Sequence, residues 1–256
     1  MNLYLLALIA HLIGDFLLQT EQMIAEKRAY KIRGFLKHSL VIILLTFFTT
    51  HYYGIKQSFI YALLIGLTHL AVDGVKVLLE DGKSSGTKLF FFLADQTLHL
   101  ILLLTFTRFF RTTTIDPAVA AFYQKFFRPG VIPVFADQNS FFPFDLEKAL
   151  WVVCIYLAAI FGGTVLITRM LEWLTNRPQE ERVQRLGRAI GVMERLILIT
   201  LVAADAISAM GFVLAAKSLA RYKELNDREF AEYYLVGTLA SFSLALFAGL
   251  WLRKVL

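Results

Sequence analysis

Three histidine–aspartate pairs recur in this chain at a spacing of four: His11 with Asp15, His69 with Asp73, and Asp95 with His99. A further histidine, His38, lies between the first two pairs. Residues four apart share one face of a helix, so each pair sets an imidazole beside a carboxylate. Those are the donor types that suit zinc, iron, manganese or nickel. Each group lies inside an apolar stretch long enough to cross a membrane, where an ionisable side chain is costly and by default functional. A bound cation offsets the cost of several buried carboxylates, and Asp–His pairing fixes the imidazole tautomer. The sequence therefore predicts a divalent-metal site inside the membrane, zinc before manganese or iron. Its ligands are drawn from His11, Asp15, His38, His69, Asp73, Asp95 and His99.

Depth supports one shared site. At a rise of about 1.5 Å per residue, Asp15, Asp73 and His38 lie about 5–9 Å from the basic end of their helices. His11, His69 and Asp95 lie at about 12–15 Å and His99 at about 18 Å. All seven fall between one face and the midplane. Three or four would be direct ligands. Asp15, Lys76 and Gln96 are the candidates for catalytic roles, as orienter, general base or substrate contact. Gln19 extends the His11/Asp15 stripe, and Lys76 either snorkels to the surface or binds an anionic group. His51, beside Tyr52 and Tyr53 at the far end of its helix, suits the membrane interface and is given no role. Gly14 and Gly66 allow close helix approach.

The elements that must position these groups are transmembrane helices. Of 256 residues, 57% are hydrophobic, and the mean hydropathy is +0.61. Windows of about 20 apolar residues mark spanning helices. The fold class is an all-α polytopic membrane protein with seven spans, near 2–20, 35–53, 57–79, 87–107, 149–171, 190–215 and 233–252, arranged 4+3. The divisions are 1–110, a four-helix domain bearing the polar site; 111–148, an interfacial or extracytoplasmic loop; and 149–256, a three-helix domain with a cytoplasmic segment near 174–189. Turn signals fill the loop at Asp116-Pro117, Arg128-Pro129-Gly130, Pro133 and Pro143, with aromatic pairs Phe126-Phe127 and Phe141-Phe142. Residues 118–128 read as a short amphipathic helix or a plain loop, and 176–189 as a polar helix outside the bilayer.

The net charge of +6 is spread over loops and forms no nucleic-acid motif, which argues against nucleic-acid binding. The single cysteine, Cys154, excludes an internal disulfide and a Cys-rich zinc site. No cleavable signal stands out. Basic residues at Lys27, Arg28, Lys31, Arg33 and Lys37, at Lys83 and Lys88, and at Arg253 and Lys254 place the amino terminus outside and the carboxyl terminus in the cytoplasm. Lys217, Arg221, Lys223 and Arg228 run against that orientation.

The last three spans carry a smaller charged set. Arg195 either meets a lipid phosphate or anchors its helix, and with Glu194, Lys217 and Arg221 it forms a second polar site or an interfacial network. Asp205 lies mid-span and must face a cavity or a partner. Gly237, Ser241, Ala245 and Gly249 make a close-packing seam. Arg169, Glu172, Arg182, Arg185 and Arg188 read as a solvated face.

The motifs of the first 110 residues resemble a bacterial multi-pass family known only as a domain of unknown function. Its pattern is HLxGDFxxQ, a lone histidine on the next helix, HxxxDxxK and DQxxH. Here these are His11 to Gln19, His38, His69 to Lys76, and Asp95 to His99. The resemblance implies a location in the bacterial inner membrane. A more limited resemblance is to predicted membrane-bound metal-dependent hydrolases, carried by Arg33-Gly34, His38-Ser39 and His69-Leu70-Ala71-Val72-Asp73. That family has a histidine where this chain has Lys31 and Ile32, so His11 or His99 would have to replace that ligand.

Three functions are compatible with these residues. The first is a membrane metalloenzyme that activates water to hydrolyse a lipid-borne or membrane-accessible phosphoester or amide. The second is a proton or divalent-metal transporter, which would need polar groups continuing to the other leaflet and a broken helix pair, neither evident in the sequence. The third is a non-catalytic assembly or sensor module.

Overall fold

The computed structural model describes residues 2–110, 115–126, 145–175 and 181–256. Among them there are helices and connecting turns and no strand. The helices are α1 (Asn2–Phe16), α2 (Glu21–Arg28), α3 (Ile32–Thr50), α4 (Ile55–Glu80), α5 (Ser85–Phe109), α6 (Pro117–Phe126), α7 (Leu146–Leu157), α8 (Gly163–Thr175), α9 (Glu181–Ala203), α10 (Ala209–Ala220) and α11 (Arg228–Val255). The turn signals at 128–143, together with Phe127 and Phe141-Phe142, lie outside the described residues. Asp116-Pro117 is described and opens α6, where the Asp116 carboxylate accepts a bond from the Ala118 amide at 2.8 Å.

Five helical segments are long and apolar enough to cross a membrane: Ile32–Tyr53, α4, α5, Leu146–Thr175 and α11. A sixth results if α1 and α2, bent by 78°, form one span. The exterior of α3 shows the solvent these helices suit. Ile32, Leu36, Leu40, Leu44 and Phe48, every fourth residue, are exposed. The opposite face buries His38, Ser39, Thr46 and Thr50. An apolar outside with a polar inside is a membrane arrangement, since water would not tolerate so continuous an apolar surface.

Two expected spans take a different form. The first, near 2–20, ends at Phe16, and Thr20 caps a separate helix by accepting from the Met23 amide at 3.2 Å. Gln19 therefore falls in the turn and does not extend the His11/Asp15 face. The segment 190–215 is no continuous span. Helix α9 begins at Glu181, absorbing the second half of the expected separate polar helix 176–189, and ends at Ala203. The chain then reverses through 204–208, with Asp205 at φ 61°. Glu194 and Lys217 would be about 34 Å apart on one straight helix, yet their side chains meet at 2.6 Å. Asp205 is exposed at this reversal, not mid-helix, and it accepts from Arg253 at 2.5 Å.

The chain divides into two compact units, residues 1–82 with 91–154, and residues 83–90 with 155–256. In the first, α3 packs against α1, α2 and α4. Glycines permit these approaches. A Cβ on Gly14 would stand 2.3 Å from Ile42 Cδ1, and one on Gly66 2.1 Å from Ile43 Cγ1. Gly34 matters most, because a Cβ there would lie 2.7–2.9 Å from Glu26 Cβ, the Lys27 amide and the Met23 carbonyl. The α2 backbone rests directly on it. Tyr30, at φ 54°, turns the chain between α2 and α3 and donates its hydroxyl to Asp81 at 2.8 Å. That bond to a carboxylate holds the Tyr30 phenol above its ordinary pKa.

In the second unit α9 and α11 run side by side in the same direction, with Arg195 level with Ser241 and Val202 level with Gly249. Ser241, Ala245 and Gly249 of the expected seam are buried, and Gly237 is half-buried. Between α7 and α8 the helix widens into a π turn at Ala158–Gly162.

Substituting Gly34 by leucine is expected to lower the thermal midpoint of the detergent-solubilised protein, an overpacking cost of about 1–3 kcal/mol. Gly74→Ala, whose Cβ would meet open space inside α4, should keep or raise the midpoint, since alanine is favoured over glycine in a helix by up to about 1 kcal/mol. Equal melting of the two variants would show that α2 does not rest on Gly34.

Candidate metal centre

All seven candidate ligands lie in the first unit and form one connected cluster. His11 and Asp15 come from α1, His38 from α3, His69 and Asp73 from α4, and Asp95 and His99 from α5. At its centre the Nε2 atoms of His38 and His69 face each other at 2.8 Å. Asp15 Oδ1 lies 3.2 Å from each of them, and Asp73 Oδ2 lies 3.7 Å from each. A tetrahedral ion with bonds of 2.0–2.1 Å sets its ligands about 3.3–3.4 Å apart. The Asp15 separations fit that spacing, those of Asp73 are slightly wide, and the two imidazole nitrogens, at 2.8 Å, would part by about half an ångström to hold one ion.

A second grouping adjoins the first. His99 Nε2 is 3.3 Å from Asp95 Oδ1, and its ring stacks on that of His69 with centroids 4.0 Å apart. Asp73, Asp95 and His99 offer ligand atoms within 4.8 Å of one another, as do His11, Asp15 and His69. His11 Nδ1 approaches Asp15 Oδ1 at 3.8 Å. Gln96 joins the two groupings, donating to Asp15 Oδ2 and to Asp95 Oδ2 at 3.1 Å each. Lys76 does not stay at the surface but donates to Asp95 Oδ2 at 2.8 Å.

Several donors are buried with no hydrogen-bond partner: His11 Nε2, Asp15 Oδ1, His38 Nδ1, Asp95 Oδ1 and His99 Nε2. Buried polar atoms are rarely left so, and a cluster of them asks for an ion or water. Asp15 Oδ1 lies 3.2 Å from two imidazole nitrogens and Asp95 Oδ1 3.3 Å from His99 Nε2, each in ion-pair range without a well-formed hydrogen bond. Imidazole nitrogens and carboxylate oxygens are the donors zinc, manganese and iron accept. The residues present thus fit a divalent cation.

Sequence reasoning missed Lys27, which it placed among the loop charges. The bend after Phe16 folds α2 back onto α3, and Lys27 is buried with its ammonium donating to Asp73 Oδ2. The signals were a capping threonine before eight helix-forming residues and a glycine at 34. His51 stays apart from the cluster, bonded to the Tyr123 hydroxyl at 2.7 Å and the Phe48 carbonyl at 2.7 Å.

Residues 3–126 match the protein family described as "Protein of unknown function (DUF3307)", a stretch that contains every residue of this cluster. No curated protein and no solved structure shows a significant match to the chain.

Replacing Lys27 by methionine leaves Asp73 without its ammonium partner. Loss of one member of a buried pair costs about 3–5 kcal/mol, so Lys27→Met should melt well below wild type. The double variant Lys27→Met/Asp73→Asn should recover much of that loss. Additive losses in this double-mutant cycle would show that the two side chains do not interact.

Proposed function

We propose that this protein is an integral-membrane metalloprotein whose first helices bind a divalent cation for the hydrolysis of a membrane-accessible phosphoester or amide. The observation that carries the reading is the facing pair of imidazole nitrogens, His38 and His69, flanked by two carboxylates. Charge supports it. Asp15, Asp73 and Asp95 face two ammonium groups, Lys27 and Lys76, so three charges against two leave one negative charge when the imidazoles are neutral. Asp15 is the carboxylate with no lysine, and it is the one that touches both imidazoles.

In this reading His38, His69 and Asp15 hold the ion, and Asp73, already engaged by Lys27, borders an open fourth position. Open positions beside three protein ligands characterise catalytic zinc sites. A cation held there supplies Lewis-acid chemistry and brings the pKa of a bound water towards neutrality. His11 orients Asp15 through its Nδ1. Gln96 fixes Asp15 and Asp95 relative to each other. Asp95 and His99 stand where a general base is needed, and Lys76 holds Asp95 while offering a positive charge to an anionic substrate. The protein is assigned to the bacterial inner membrane, with the basic residues around α2 and α3 on the cytoplasmic side; the inside carboxyl terminus expected from seven spans does not follow from five or six.

A transporter of protons or divalent metal is the second reading. The 78° bend between α1 and α2, directly after Asp15, favours it, because broken helices line transport sites. Against it, the hydroxyls of Thr50 and Ser58 farther along α3 and α4 bond backbone carbonyls and build no onward path. Thr50 donates to the Thr46 carbonyl at 2.6 Å and Ser58 to the Thr50 carbonyl at 2.7 Å.

Elemental analysis of protein purified without a metal-affinity tag is expected to find about one zinc, manganese or iron per chain. His38→Ala and His69→Ala should each lose it, His51→Ala should retain it, and chelation should lower the wild-type melting temperature. Metal-free wild-type protein whose melting ignores chelator would overturn the proposal. Metal accumulation in proteoliposomes would replace hydrolysis by transport.

A further inference from the structure

We infer that the second unit carries a binding site for a phosphate group, separate from the metal centre and outside the segment matched to the family. The site is a cavity of about 360 Å³ between α8, α9, α10 and α11, within the size range of ligand pockets. Four cationic side chains line it, Arg188, Arg195, Lys217 and Arg221, against one carboxylate, Glu194.

Arg195 is the centre of the site. It is 3% exposed, and a buried guanidinium needs a counter-charge. Its hydrogen-bond partners are neutral, and the Glu194 carboxylate acts on it only from beyond hydrogen-bond range. One terminal nitrogen donates to the Ile160 carbonyl at 2.8 Å and to the Thr164 hydroxyl, and the other to Ser241 Oγ at 3.3 Å. Nε is buried with no partner. Three of its five N–H donors are engaged and two remain. No described carboxylate comes within 4 Å of it. Glu194, its sequence neighbour, turns to Lys217 at 2.6 Å.

The backbone is adapted to hold the guanidinium. The Ile160 carbonyl, within the π turn at Ala158–Gly162, accepts from Arg195 at 2.8 Å and from the Thr164 hydroxyl at 2.7 Å, and such turns recur at functional sites. Gly191 keeps space beside it, since a Cβ there would come within 3.1 Å of a guanidinium nitrogen. Arginine hydrogen-bonded only to neutral groups, with Arg188, Lys217 and Arg221 and the hydroxyls of Tyr234 and Ser241 also in the lining, is the chemistry that receives phosphate oxygens. Ile167, Leu171 and Phe230 also line the cavity, so the phosphate can come from a lipid headgroup or be free.

The test uses full-length protein in detergent. Native mass spectrometry compares phosphatidic acid with diacylglycerol of the same acyl chains, and equilibrium dialysis measures labelled inorganic phosphate. Saturable binding of phosphatidic acid but not diacylglycerol assigns a lipid phosphate, and saturable retention of inorganic phosphate assigns a free one. Arg195→Gln should weaken whichever is found by about tenfold or more, the scale of one charge-assisted hydrogen bond. If Arg195→Gln does not fold, Lys217→Gln should weaken binding by about threefold or more. Binding of neither probe by wild type, or undiminished binding by a folded variant, would overturn the inference.

Discussion

Charge compensation inside an apolar bundle is the constraint on which the first unit depends. Three aspartates sit at the level where four helices converge, and an isolated carboxylate in that environment is too costly to keep ionised. The chain answers with two lysines reached by different routes. Lys76 needs only one more helical turn beyond Asp73 to reach Asp95 on the next helix. Lys27 lies 46 residues from Asp73 and arrives only because α1 stops at Phe16 and α2 doubles back. The bend, the Thr20 cap and the contact of α2 with Gly34 together bring that ammonium group to its carboxylate. Asp15 receives no lysine, and its imidazole neighbours are the ligands a cation would use.

The same constraint explains how the polar groups are divided along α3 and α4. Towards one end the interior holds imidazoles and carboxylates, whose bonding is incomplete without a further partner. Towards the other it holds Thr50, Ser58 and Tyr61, whose hydroxyls bond backbone or the Thr107 hydroxyl at 2.6–2.9 Å. The outer faces are apolar at both ends. The unpartnered polar atoms are thus concentrated at the imidazole–carboxylate end, while at the other end Thr46 Oγ1 is a buried hydroxyl without a partner.

The cluster was legible because it uses helical spacing. His69/Asp73 and Asp95/His99 lie on faces fixed by a four-residue repeat, and hydrophobic length set their depth. What stayed hidden depended on contacts distant in sequence. Nothing local distinguishes Lys27 from Arg28 or Lys31, and only the direction in which α2 leaves α1 decides which charge is buried. Gln19 looked like a continuation of the His11 face because the apolar run continues through Leu17 and Leu18, while the helix does not. The segment 190–215 passed as one span because its hydropathy is continuous across Ala203 to Ala209, although Asp205 in a left-handed conformation reverses the chain. Asp205 was the visible signal, since aspartate tolerates that conformation better than most residues.

Burial within the metal centre is graded. The side chains of His11, His38, His69 and His99 are at most 3% exposed, those of Asp15 and Asp73 8–9%, and that of Lys76 19%. Gln96 is also partly exposed. The least buried of these groups, Lys76 and Gln96, lie on α4 and α5, and both bond the Asp95 carboxylate. Their partly exposed ends are an ammonium and an amide, so hydrogen-bond donors screen Asp95, while the four imidazoles are enclosed by the helices.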